Sequence, residues 1–61
     1  MKGLIVLRES IISYYGQIFP ANVQLQAEID NKDRIFVEHP QDKSLRILIE
    51  EKNIISKHWF T

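Results

Sequence analysis

Polar and apolar residues alternate most sharply from Val23 onward. Val23, Leu25, Ala27 and Ile29 fall on one side and Gln24, Gln26, Glu28 and Asp30 on the other, the period of a half-buried β-strand. Asn31-Lys32-Asp33 supplies a polar turn, after which Arg34-Ile35-Phe36-Val37-Glu38-His39 resumes the pattern, and together they predict a hairpin. Pro40 has no N–H to give to a ladder and opens a polar stretch to Ser44, so a third strand is expected over Leu45 to Glu50. Centring that second turn on Asp42 opposes Val37 to Ile47 and Ile35 to Ile49 on an inner face. The same register opposes Glu38 to Arg46, Phe36 to Leu48 and Arg34 to Glu50 on the outer face, where each pair adds about 0.2 to 1 kcal/mol. A slip by one residue would exchange the two faces.

Either side of this meander the pattern is less regular. Gly3 to Arg8 is an apolar run suited to a strand covered on both faces. Glu50 to Asn53 reads as a turn or a single 3₁₀ turn, and Ile54 to Phe60 as a last strand lying against the first. Ser10 to Asn22 is long for a connection. It reads either as an irregular folded-over hairpin or as a short helix capped by Ser10 over Ile11 to Tyr15 and stopped by Gly16. Isoleucine and tyrosine are poor helix formers and one turn is marginal alone, which favours the loop.

Composition limits what this chain can be. Sixty-one residues, 44% of them hydrophobic, allow one domain, 1–61, around one small core. Ten isoleucines and three valines against two glycines suit pleated sheet. With no cysteine there is no disulfide, and two histidines make no typical four-ligand structural zinc site without two carboxylates, so stability must come from packing or from a partner. No metal or cofactor is expected. Eight basic and eight acidic residues give a formal charge of zero, which provides no field for a phosphate backbone and little self-repulsion against a protein partner or a second copy. The longest apolar run, Leu4 to Leu7, is far short of the roughly 20 residues of a membrane-spanning helix. Arg8-Glu9 breaks that run where a signal sequence would continue. A cytoplasmic setting is expected.

The order of elements resembles that of a small SH3-like domain. The layout comprises a first strand, a long loop returning through Ile18-Phe19-Pro20-Ala21-Asn22, three meandering strands, a short turn at Glu51 to Asn53 and a closing strand. The resemblance implies a five-stranded, partly open antiparallel barrel with a long first loop, used for protein or nucleic-acid contacts without catalysis. Leu4 to Arg8, and Arg34 to Glu51 with Pro40 and Ser44, are also similar in general look to small dimeric RNA-binding regulators of the carbon-storage type.

Several residues point to contacts with a partner. Adjacent Tyr14 and Tyr15 cannot easily both face inward, so at least one is expected on the surface as rigid contact area with a hydroxyl handle. Phe36 and Leu48 form an outer apolar patch, covered either by another part of the chain or by a second copy. Trp59 and Phe60 near the end need packing to be ordered, in the core or at an interface. Arg8, Lys57, His58 and Trp59 are the set available for stacking on and neutralising a single-stranded nucleic acid. His39 and His58 lack metal-ligand spacing, and Ser10, Ser13, Ser44 and Ser56 lack a nucleophile motif. Adjacent Glu50 and Glu51 would point opposite ways on a strand. The expectation is a non-catalytic protein-binding module, adaptor or inhibitor, of the size found in phages and other mobile elements. RNA or single-stranded nucleic-acid binding and self-association are the alternatives.

Overall fold

In a computed structural model that describes residues 1–60, the chain forms seven strands and one 3₁₀ turn: β1 Lys2–Leu7, β2 Ile11–Ile12, β3 Ile18–Phe19, β4 Gln24–Ile29, β5 Ile35–His39, β6 Asp42–Ile49, a 3₁₀ turn Glu51–Asn53, and β7 Ile54–Trp59. Five strands make one antiparallel sheet in the order β6-β5-β4-β1-β7, and β2 with β3 makes a separate two-stranded sheet. The β5–β6 register is the one the alternation dictates, with Ile35 opposite Ile49, Phe36 opposite Leu48, Val37 opposite Ile47 and Glu38 opposite Arg46. A shift after Glu38 places His39 opposite Asp42, so the turn narrows to Pro40–Gln41 and β6 starts earlier than Leu45. Arg34 and Glu50 do not pair as expected. Arg34 turns back to Asp30 at 2.8 Å and Glu50 meets Lys52 at 3.4 Å, because a partner within the same turn requires less chain ordering than one across the sheet.

The SH3-like barrel does not form. Closure would need β6 to pair with β7, and these are instead the two edges of an open sheet. The physical reason lies at both ends of the meander. Residues 10–22, the irregular folded-over hairpin that the sequence favours, pair with themselves, Ile11 to Phe19 and Ile12 to Ile18, and form a sheet of their own where the barrel layout has only a loop. At the far edge, a bulge between Val6 and Leu7 against Ile54 and Ser56 increases the local twist of β7, one of the devices that keep an edge from pairing further.

The core is a single cluster. Ile5 and Leu7 of β1, Leu25 and Ala27 of β4, Ile35 and Val37 of β5, Ile49 of β6 and Ile54 of β7 are buried, and Phe19 reaches them from the small sheet. Phe19 and Leu7 have no exposed surface. Phe19 therefore fastens the β2–β3 hairpin to the large sheet. Gly3 permits another close approach: a Cβ there would meet the His58 carbonyl oxygen and lie 2.6 Å from Cε3 of Trp59. The absent side chain lets Trp59, its ladder partner, pack half-buried against the core.

Candidate functional site

The β2–β3 hairpin has one face that is finished and one that is not. Ile11 and Phe19 turn inward, while Ile12 and Ile18, directly opposite each other, are 68% and 57% exposed. The chain reverses between them over Tyr14, Tyr15 and Gly16. Gly16 has φ +86°, the left-handed conformation that glycine adopts without a steric penalty. Four hydrogen bonds close the turn. Ser13 N–H donates to the Gln17 carbonyl at 2.8 Å and Gly16 N–H to the Ser13 carbonyl at 3.0 Å. The Gln17 N–H reaches Ser13 Oγ at 3.1 Å, and that hydroxyl donates to Gln17 Oε1 at 2.5 Å.

This closure places two tyrosines on a fixed corner. Tyr14 is 96% and Tyr15 78% exposed, and their rings meet edge to face with centroids 5.2 Å apart. The expectation that at least one is on the surface is exceeded. Isoleucine and tyrosine side chains in this number are rarely left in water without a role. They also stand in neutral surroundings, since all eight basic and eight acidic residues lie outside residues 10–27.

The base of the hairpin is held as firmly as its tip. The Ala21 N–H donates to Ser10 Oγ at 3.2 Å. His39 lies edge-on to Phe19 with centroids 5.1 Å apart. Its Nε2 is 3.0 Å from the Ile18 carbonyl oxygen, and its Nδ1 is 3.1 Å from the Gln41 nitrogen. One protonation pattern satisfies both contacts: Nε2–H donates to Ile18 and bare Nδ1 accepts from Gln41.

Comparison with protein-family models, with curated proteins and with solved structures finds no match. Neither of the resemblances in layout gains a relative from it.

The remaining residues singled out by the sequence are dispersed. Phe36 and Leu48 lie together on the outer face as the register requires. Phe36 is half-buried and Leu48 60% exposed. The guanidinium groups of Arg34 and Arg46 sit over the Phe36 ring, 5.7 and 5.8 Å from its centroid, and Arg46 also meets Glu28 at 3.6 Å. That patch already has charged side chains of this chain over it. Trp59 packs against the core, and Phe60 is 46% exposed with its ring edge-on to His58. Arg8 donates from Nε to the Lys52 carbonyl at 3.2 Å, and Lys57 is paired with Glu51 at 2.6 Å. Lys57 and Trp59 share one face of β7 and His58 the other, so these four do not line a common groove.

Sequence reasoning missed Ile12 and Ile18. The signal was present: a turn centred on Tyr15 opposes Ile12 to Ile18 and Ile11 to Phe19, so an alternating hairpin with one apolar face too many was already written in residues 11–19. Among the described residues no three His, Cys, Asp or Glu side chains group to hold a metal, and no helix is long and apolar enough to cross a membrane.

Proposed function

We propose that the chain is a small non-catalytic protein-binding module, an adaptor or inhibitor that engages a larger protein through the β2–β3 hairpin. One observation carries this reading: Tyr14 and Tyr15 stand almost fully exposed on a turn that is already closed by hydrogen bonds. Ordering costs oppose association, and a contact held rigid in the free protein avoids them. Tyrosine is also enriched among the residues that dominate interface energies. The exposed hairpin carries no charged residue, so its complement is a neutral surface able to hydrogen-bond the Tyr hydroxyls. We place it in the cytoplasm, a reading supported by its cysteine-free composition.

The test is affinity capture from the native cell or its host with the wild-type chain and the Tyr14→Ala, Tyr15→Ala variant. A protein retained by the first and lost from the second supports the proposal. Equal retention by both, or none by either, removes it.

A further inference from the structure

β4 and β5 pair only from Ala27–Val37 to Ile29–Ile35, although β4 continues against β1 as far as Gln24 and β5 against β6 as far as His39. Two neighbouring strands therefore part company at one end, and between them lies an open cleft of about 210 Å³ lined by Gln24, Leu25 and Gln26 on one side and Glu38, His39 and Lys43 on the other. Its volume is below the roughly 300 Å³ at which drug-sized pockets begin, so it admits a ligand about as large as one amino-acid residue.

The polar groups around it are unspent. Glu38 is half-buried, and the cation opposite it on the ladder, Arg46, is bonded to Glu28. Among the described residues, the side chains of Glu38, Lys43, Gln24 and Gln26 take part in no hydrogen bond or ion pair. The His39 ring is fully engaged and serves as wall. The chemistry of an occupant follows from the two signs. A plain cation would satisfy Glu38 and be repelled by Lys43, and a plain anion would meet the reverse. A group carrying both charges within one residue's length satisfies both, with the two glutamine amides free to donate and accept along its flank.

We propose that this cleft binds a zwitterion of amino-acid size, with its ammonium on Glu38, its carboxylate on Lys43 and its flank against Gln24 and Gln26. The site is separate from the tyrosine turn. Either a free amino acid or a neighbouring basic and acidic side chain on a polypeptide offers this chemistry.

The experiment is a ¹⁵N-detected titration of the full chain with L-alanine, alanine amide, N-acetylalanine and the capped dipeptide acetyl-Lys-Glu-amide. The expected result is saturable shifts of the amides at 24–26 and 38–43 with L-alanine or the dipeptide, and binding about tenfold weaker or worse for the two singly charged forms. The tighter of the two bipolar probes identifies the source. Glu38→Gln, which keeps the shape of the side chain, and Lys43→Gln, at an exposed position, are each expected to weaken binding by about tenfold. No saturable shift at those amides, equal binding of the singly charged probes, or undiminished binding in both variants would overturn the proposal. None of these outcomes bears on capture of a protein by the hairpin.

Discussion

Two turns in this molecule share one backbone design and differ in what they display. In the first, Ser13 N–H bonds the Gln17 carbonyl, Gly16 N–H the Ser13 carbonyl, and Gln17 N–H the Ser13 side chain. In the second, Asp30 N–H bonds the Arg34 carbonyl, Asp33 N–H the Asp30 carbonyl, and Arg34 N–H the Asp30 side chain at 2.9 Å. The residue before the closing position is left-handed in both, Gly16 at φ +86° and Asp33 at φ +62°. The second turn is clamped by the Asp30–Arg34 ion pair and presents Asn31 and Lys32 to water. The first is clamped by a neutral Ser–Gln pair and presents two tyrosines. Since the same backbone is satisfied with solvated residues at its corners, the tyrosines are not there to make the turn. The difference in display between the two is what the proposed partner contact rests on.

The largest expected effect tests the scaffold beneath the aromatic turn. Phe19→Ala should cost about 3 to 5 kcal/mol in urea or thermal unfolding, because a fully buried aromatic side chain leaves a cavity where hairpin meets sheet. A loss under about 1 kcal/mol would mean that the hairpin is not fastened through Phe19. Next comes an exchange of display: Tyr14→Asn with Tyr15→Lys gives the first turn the corner residues of the second. Stability should stay within about 0.5 kcal/mol, while affinity for the captured protein should fall by about 30-fold or more, the loss of a hot spot of roughly 2 kcal/mol. Large destabilisation would show that the tyrosines hold the fold. A smaller effect is expected at the neutral clamp, where Ser13→Ala removes two hydrogen bonds and should cost about 1 kcal/mol, read as faster hydrogen exchange at Gly16 and Gln17.

The smallest expected effect separates the turns by pH. Asp30 is held below the ordinary carboxyl value of 3.8 by the Arg34 N–H, then by the Arg34 guanidinium and the Lys32 N–H. Asp42 is held below it by the Ser44 hydroxyl and then the Ser44 N–H. A carboxyl lowered by folding stabilises the native state above 3.8, and that contribution is lost as pH falls through the lower native value. Acidification below about pH 4 should therefore loosen the turns at Asp30 and Asp42, followed by amide shifts, and leave the Ser13–Gln17 turn unchanged. Simultaneous loosening of all three would contradict the neutral character of the aromatic turn.

The part of this architecture that could be read in advance is the part where strict alternation meets a single buried face. Ile35, Val37, Ile47 and Ile49 must share the inner side, so the β5–β6 register followed, and with it the adjacency of Phe36 and Leu48. The lengthwise fit of β7 against β1 was likewise legible, because Ile54 and Trp59 have no other core to enter. The folded-over hairpin within residues 10–22 was legible as well, although its pairing spans only two residues on each side and the face it leaves exposed was not drawn from it. Two things were not. Barrel closure depends on twist and on the bulge at Val6–Leu7, which no side-chain pattern announces. The cover over Phe36 comes from guanidinium groups of Arg34 and Arg46, and whether a long cationic side chain lies across a ring or extends into water is decided by neighbours such as Glu28 and Asp30.

The most direct test of the claim that one turn meets a protein and its structural twin does not is photo-crosslinking from equivalent corners. A photoreactive phenylalanine analogue is placed at Tyr15 in one sample and at Lys32 in another, and both are irradiated in extract of the native cell or its host. A discrete protein adduct is expected from position 15 and none from position 32. The same adduct from both positions, an adduct from position 32 alone, or none from either would contradict that claim.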